Sequence, residues 1–492
     1  MLGSVILLCI SFSLFILFVR TRRPTNFPPG PRLIPIFGNL LQLNLVDLLN
    51  DLKKLSESYG KVYSIYLGRK PVVVLNGLQA MKEALVTQSV EFAGRPKDHI
   101  AIDLTERKGV VMTDGSIWKE HRRFALTTLR NFGMGKRSME ERILGEISYI
   151  VTHLEKNAGK TTDPQTLFHE ATFNIICTVL FGTRYKHEDE FLQLNIHCIR
   201  ETAKIINGPW SMIYEMLPLL RNLPLPFQKA FENRDLMKKS LGDQVSQHKK
   251  SWVPGEPWDL IDCYLDKMEK RGDDGSSFSE EQLVFYLLDL LFAGTDTSSN
   301  TLLTAFLYLM THPDVQERCQ KEIDEVLGEK EQVSFEDRHR MPYTQAVIHE
   351  VQRVADTVPL SVIHATTKDT RLMGYDIPKG TLVIPNLSSV LSEENQWKFP
   401  HEFNPSNFLN DEEEFVKPEA FMPFSAGSRV CLGEGLARME LFLILVTLLR
   451  RFKFVWPEEA GVPDYTPVFG VTQTPKTYRM GVRLRQFNSV NS

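Results

Sequence analysis

The chain has 492 residues, 42% of them hydrophobic and 24% charged, with a formal net charge of −4 and a pI near 6.3. This is ordinary globular composition with length for a large core, and it excludes the strongly basic balance of a nucleic-acid binder. Six cysteines (Cys9, Cys177, Cys198, Cys263, Cys319 and Cys431) are scattered with no Cys-x-x-Cys pair, so neither a zinc site nor a disulfide framework is indicated, and free cysteines fit a reducing compartment.

Leu2 to Val19 is an uncharged run rich in Leu, Ile, Phe and Val, followed at once by Arg20, Arg22 and Arg23. A helix needs roughly 20 apolar residues to cross the hydrocarbon core, so residues 1–20 read as a membrane anchor. The arginines leave the bulk of the chain on the cytoplasmic side. A cleaved signal peptide would show a basic leading segment and a small-residue cleavage site, and neither is present. Residues 21–38, basic and then Pro-rich through Pro28-Pro29-Gly30-Pro31, read as a stiff non-helical linker, because proline fixes φ and lacks a donor. A single domain over 39–492 follows.

Residues 61–75 read as a strand hairpin turned at Gly68-Arg69-Lys70-Pro71. Most of 78–355 reads as helices. Between 205 and 231 an apolar stretch is broken by Pro209, Pro218, Pro224 and Pro226; any single residue of it reads as core, while the cluster as a whole favours a mouth that dips into lipid. Ser279 and Gln282 form a capping box before an apolar run that Pro313 stops near Thr311. Such a helix of about 32 residues is roughly 48 Å long at the standard rise and must cross the domain. Within it stands Ala293-Gly294-Thr295-Asp296-Thr297. A mid-helix Gly costs about 1 kcal/mol relative to Ala, and Thr and Asp are poor helix formers too. The run therefore predicts a local opening that brings hydroxyls and a carboxylate to a ligand, in preference to a simple kink. Glu350 and Arg353 share a helix face as an ion pair. Short apolar runs between turns over 359–385 suggest β structure, and Asp411 to Glu414 reads as a solvated loop.

The sharpest motif is Phe424-Ser-Ala-Gly427-Ser-Arg429-Val-Cys431-Leu-Gly433, with a helix pattern from Glu434 to Arg450 directly after it. Amides at a helix N-terminus stabilise a thiolate, glycines let backbone approach a flat ligand, and Arg429 can pair with a carboxylate on that ligand. The motif resembles the haem-binding signature of the cytochromes P-450. Chance agreement of Phe424, Gly427, Arg429 and Gly433 around one cysteine is on the order of 10⁻⁵ from average composition. For the other five cysteines the reading stays an inert, structural thiol.

The resemblance extends from the Pro-rich segment to about residue 485, with Trp118-Lys-Glu-His-Arg122 and the Ala293–Thr297 run in the family's order, and looks like its microsomal, drug- and fatty-acid-oxidising branch. It implies a mostly α fold with a smaller β-rich part, a single haem domain behind a transmembrane helix in the endoplasmic reticulum membrane, facing the cytosol. It implies haem b with Cys431 as axial ligand and with Arg95, Trp118, Arg122, His364 and Arg429 at its propionates. Thr297 and Asp296 would serve oxygen activation, and Glu350 with Arg353 would be structural. The family's third member of that ion-pair network is an arginine, where this chain has Asn407 in Pro405-Ser-Asn-Phe408. Family-equivalent segments place Val111, Met112, Ile205, Ile206, Leu290, Ala293, Val358, Val362 and Val471 around a lipophilic substrate. The implied reaction inserts one oxygen atom of O₂ into that substrate, with electrons from NADPH through a flavoprotein reductase, cytochrome b5 being a further candidate donor. No Gly-x-Gly-x-x-Gly is evident, so NADPH and flavin belong to the partner. Lys119 and Arg123 are either simply exposed or the face that an acidic partner meets. Two rivals are a haem-thiolate isomerase or dehydratase that does not use O₂, which would not need the Thr297 hydroxyl, and a non-catalytic haem-binding protein.

Overall fold

The computed structural model describes residues 23–45, 47–131, 137–272 and 277–485. The expected anchor lies outside them, and among the described residues no helix is long and apolar enough to cross a membrane. Numbering helices of twelve residues or more, α1 spans Leu48–Tyr59, α2 Gly115–Asn131, α3 Arg137–Lys156, α4 Pro164–Leu180, α5 Glu190–Asn207 and α6 Phe227–Ser251. Then come α7 (Leu260–Arg271), α8 (Glu280–Thr311), α9 (Pro313–Leu327), α10 (Pro342–Ala355) and α11 (Glu434–Arg451). The principal strands are β1 Val62–Leu67, β2 Lys70–Leu75, β3 His364–Ala365, β4 Leu382–Pro385, β5 Phe452–Val455 and β6 Met480–Leu484.

The β1–β2 hairpin forms as expected, with Leu67 opposite Lys70 across Gly68 and Arg69. The sheet order is β1-β2-β4-β3, with β2 and β4 parallel and the other pairs antiparallel. Ala365 N–H donates to the Gly94 carbonyl at 2.9 Å, which docks the loop carrying Arg95 beside His364. Within the described residues the Pro-rich segment is held against the domain. Ser64 N–H donates to the Pro29 carbonyl at 2.7 Å, and the Arg23 guanidinium donates to the Ser64 hydroxyl at 2.9 Å, so the segment lies along β1.

The long helix α8 runs through the core, buried along most of its length. Ser279 caps it by accepting from Gln282 N–H at 3.1 Å, and Glu280 and Glu281 place negative charge at its positive end. The second half of the expected capping box is not made. The Gln282 amide instead brackets Gly109, donating to its carbonyl (2.9 Å) and accepting from its N–H (3.3 Å). A buried amide needs both a donor and an acceptor, and a neighbouring loop backbone supplies both. The expected opening at 293–297 is also not made, since α8 is helical without interruption. The Thr297 hydroxyl donates back to the Ala293 carbonyl at 2.7 Å and Thr301 to the Thr297 carbonyl at 2.9 Å, so these residues reinforce the preceding turn. α4 packs along α8, with Phe168 stacked on Phe306 at 4.9 Å and Ile176 over Gly294, where a Cβ would come within 3.1 Å of it.

Candidate active site

Cys431 stands at the mouth of α11. Its N–H donates to the Phe424 carbonyl at 3.0 Å, closing the loop between them. Gly427 has φ +71°, and a Cβ there would lie 1.6 Å from the Leu85 carbonyl oxygen. Glycine is therefore required by protein backbone, not by the approach of a flat ligand as expected. Gly433 is different: a Cβ there would meet only the Cys431 sulfur, at 3.9 Å. Cys431 is exposed while Cys177, Cys198 and Cys319 are buried, and the first turn of α11 is partly open too, with burial beginning at Leu436. The electrostatics around the sulfur depart from expectation. Although the residue has an open side, the protein atoms crowded around the sulfur push the thiol up; the Gly433 N–H pulls it down, the Glu434 charge pushes it up, and the Arg122 charge and the Glu434 N–H pull it down. The helix amides act in the predicted direction against that crowding, and a bound metal would act the same way, since it deprotonates a coordinating thiol.

Around this loop the structure brings together the other predicted haem residues. Arg429 lies 3.7 Å over the Trp118 ring and donates to the carbonyls of Ala93 (2.7 and 2.9 Å) and Thr113 (2.8 Å). Arg122 donates to the Val430 carbonyl at 2.6 Å. Arg95 donates to the carbonyls of Val111 (2.9 Å), Val362 (3.1 Å) and Ile363 (2.7 Å). His364 Nδ1 donates to the Phe92 carbonyl at 2.6 Å. Among the described residues the three guanidinium side chains bond to carbonyls and form no ion pair with a carboxylate, and Arg429 feels the charges of both Arg95 and Arg122. Burial and then the Arg95 charge push Arg429 down to about 8, and burial holds Arg95 near 10. Burial, with Arg95 adding to it, pushes His364 down to about 3. A buried cluster of this kind is costly alone and suits a group carrying two negative charges. Haem b, with an iron for Cys431 and two propionates for this cluster, fits that donor set.

On α8, Ala293 is exposed and Gly294 and Thr297 partly so, although Leu291, Thr295, Asp296 and Ser298 are buried. Thr297 thus shares the open stripe with Ala293, one turn away. Asp296 does not: its Oδ2 accepts from the Thr472 hydroxyl at 2.6 Å and the Asn300 amide at 3.2 Å, and its Oδ1 lies 3.7 Å from His169 Nε2. The predicted substrate residues divide. Val111 N–H donates to Asp289 beside Leu290, Arg95 ties Val111 to Val362, and Thr301 bonds Thr357 beside Val358. Gln473 N–H bonds the Thr357 carbonyl, which brings the exposed Val471 to the same region, and Met112 is buried next to Val111. Ile205 and Ile206 sit in a separate apolar cluster with Ile100, Leu104 and Phe227.

Sequence reasoning missed Asp289. Its carboxylate accepts from the N–H groups of Val110 (2.7 Å) and Val111 (2.8 Å), and burial pushes it up to about 6. The signal was there: a carboxylate in Leu288-Asp289-Leu290, inside an apolar helix, demands a partner. Ser298 donating to buried Glu440 at 2.7 Å, which ties α8 to α11, was not foreseen either. The predicted ion pair holds: Arg353 donates to both Glu350 oxygens at 2.7 Å, with both residues buried. The Asn407 amide donates to Glu350 at 3.2 and 3.3 Å in the place of the expected arginine.

A family model described as cytochrome P450 matches residues 28–482. The chain is 46% identical over 466 residues to cytochrome P450 2F2 of Mus musculus, covering 94% of each. It is 43% identical over 488 residues to cytochrome P450 2F1 of Homo sapiens (98% of this chain, 99% of the relative) and 41% identical over 480 residues to cytochrome P450 2C8 of Homo sapiens (97% and 98%).

Proposed function

Because this chain belongs to the cytochrome P450 family, we propose that Cys431 is the axial ligand of its haem and that Arg95, Trp118, Arg122, His364 and Arg429 hold the propionates. The protein is a haem-thiolate monooxygenase of lipophilic substrates, taking electrons from NADPH through a flavoprotein reductase. The observation that supports the residue assignments is the buried guanidinium cluster around the Cys431 loop, whose side chains bond to backbone carbonyls and, among the described residues, form no ion pair with a carboxylate. Haem b supplies O₂ activation when bound, and a thiolate ligand favours O–O cleavage.

The remaining roles belong to the chain. The open stripe of Ala293 and Thr297 would border the haem when it is bound, with the Thr297 hydroxyl oxygen available to hold O₂ or water there. Asp296 carries protons toward it. Val111, Met112, Leu290, Ala293, Val358, Val362 and Val471 wall an apolar pocket that excludes water and orients the substrate by shape, with Ile205 and Ile206 behind its roof. Gly427 and Phe424 fix the loop that aims the sulfur. A groove of about 650 Å³, lined by Trp118, Lys119, Arg122, Arg123 and Arg130, offers a basic face to an acidic redox partner, the reductase and, at the same place, cytochrome b5.

Residues 1–20 anchor the chain in the endoplasmic reticulum membrane, with 21–38 as the linker and the domain of 39–492 on the cytosolic side. Leu217, Leu219 and Leu223 are exposed, Leu219 by 93%, and so are Ile36, Phe37 and Leu41, which supports an apolar rim resting on lipid. The decisive experiment is the reduced carbon-monoxide difference spectrum. Cys431→Ala should lose the thiolate-type band, and an unchanged band would sink the ligand assignment.

A further inference from the structure

Behind the Asp296 turn of α8 lies a buried titratable side chain with no role so far. His169, Thr172 and Ile176 of α4 stand at i, i+3 and i+7 on one helix face. All three meet α8 between Gly294 and Asp296. Ile176 covers Gly294, and the Thr172 hydroxyl donates to the Thr295 carbonyl at 3.0 Å. His169 Nε2 stands 3.7 Å from Asp296 Oδ1, with the side chains only 3% and 7% exposed. That distance is an electrostatic contact, longer than a direct hydrogen bond.

The proton inventory at this contact is constrained. His169 Nδ1 lies 2.8 Å from the Gln165 carbonyl. A carbonyl can only accept, so Nδ1 carries a hydrogen. In a neutral ring Nε2 would then be bare and would aim a lone pair at a carboxylate oxygen. Two acceptors facing each other in a buried site are unfavourable. One additional proton removes the conflict, either on Nε2 as imidazolium or on Oδ1 as a neutral acid. The other carboxylate oxygen is already occupied by Thr472 and Asn300.

We propose that His169 is a positioning residue for Asp296, sharing one proton with the carboxylate and holding it toward α4, so that the acid reaches Thr297 only when this contact opens. The inference rests on the reading of Asp296 and Thr297 as the proton-handling pair. It goes beyond that reading because it places control of the acid on α4, a helix with no other part in the site.

Two measurements on the full-length ferric holoprotein in bilayers test it. In protein carrying ¹⁵N-labelled histidine, the His169 ring signals are identified by their loss in His169→Gln. The expected result is an Nε2 signal that shifts on Asp296→Asn while Nδ1 stays protonated. A His169 ring spectrum identical with and without the carboxylate would overturn the proposal. The second measurement is product formed per NADPH consumed. His169→Gln keeps a donor for Asp296, and His169→Leu keeps only bulk. His169→Leu should lower the ratio by roughly threefold or more with the carbon-monoxide spectrum intact, and His169→Gln should stay within about twofold of the parent. Equal ratios in all three proteins, or a His169→Gln as poor as His169→Leu, would overturn it. Full coupling in Asp296→Asn would overturn the underlying reading. Altered coupling there with an unresponsive His169 spectrum would overturn the His169 inference alone.

Discussion

Thr297 spends its hydroxyl hydrogen on the Ala293 carbonyl, which leaves the oxygen lone pairs directed along the open stripe of α8. Thr297→Ala keeps the helix, since alanine is the better helix former, and removes that oxygen. Electrons should then be diverted: NADPH consumption continues while hydrogen peroxide release rises and product falls. Full coupling in this variant would remove Thr297 from proton handling. At Cys431 the residue scale also shows a balance that no motif displays. The N–H groups of Gly433 and Glu434 favour the thiolate, while the protein atoms crowded around the sulfur and the Glu434 charge oppose it.

Elements matter where they share buried polar groups. Glu350 and Arg353 lie one helical turn apart on α10, and Arg353 also donates to the carbonyls of Leu391 (3.0 Å), Pro400 (2.8 Å) and Glu402 (2.6 Å). Glu350→Ala leaves that guanidinium buried without its counter-charge and should cost about 3–5 kcal/mol. Asn407→Ala removes only one neutral partner and should cost about 1–3 kcal/mol. Urea unfolding should rank the two in that order; equal losses would show that Arg353 finds its charge partner elsewhere. The substitution of asparagine for the family's arginine is thus accommodated, because a side-chain amide can donate to Glu350 and to the Phe399 carbonyl (3.0 Å) while accepting from Phe399 N–H (2.9 Å).

Across the whole molecule, stability should depend on pH through buried neutral imidazoles. His349 packs against Phe408, Phe415 and Phe421, and burial first, with the Arg438 and Lys417 charges, holds it at about 3 against an ordinary value of 6.5. Below pH 6.5 the unfolded chain binds a proton that the folded chain refuses. The His349 contribution is therefore complete above pH 6.5 and is lost as the pH falls toward 3, with a slope of about 1.4 kcal/mol per pH unit. Urea midpoints between pH 7.5 and 5.5 should fall with acidity, and His349→Gln should flatten that fall by one proton; an unchanged slope would refute the assignment. On the same scale, deletion of residues 2–20 should free the protein from bulk lipid while leaving haem content intact, as sedimentation with vesicles and the haem spectrum would report. Residual peripheral binding through the rim at Leu217 to Leu223 is compatible with that outcome, whereas loss of haem would give the segment a structural role.

What the sequence determined by itself was local. The Cys431 loop, the cap and the stop of the long helix, the β1–β2 hairpin and the Glu350–Arg353 pair each depend on residues within a few positions of one another, and short-range geometry settles them. Tertiary packing decided the rest. Gly427 answers to the Leu85 carbonyl, Gln282 to Gly109, Asp289 to the backbone of Val110 and Val111, and Asp296 to Thr472 and His169, more than a hundred residues away on either side. Each is a buried polar or close-packed group whose partner lies far off in the chain, and burial obliges it to find one wherever the fold provides it. The run Ala293 to Thr297 shows both sides. Its composition marked the run as unusual, but only the packing of α4 against α8 shows what it meets: Ile176 over Gly294, Thr172 on the Thr295 carbonyl and His169 beside Asp296.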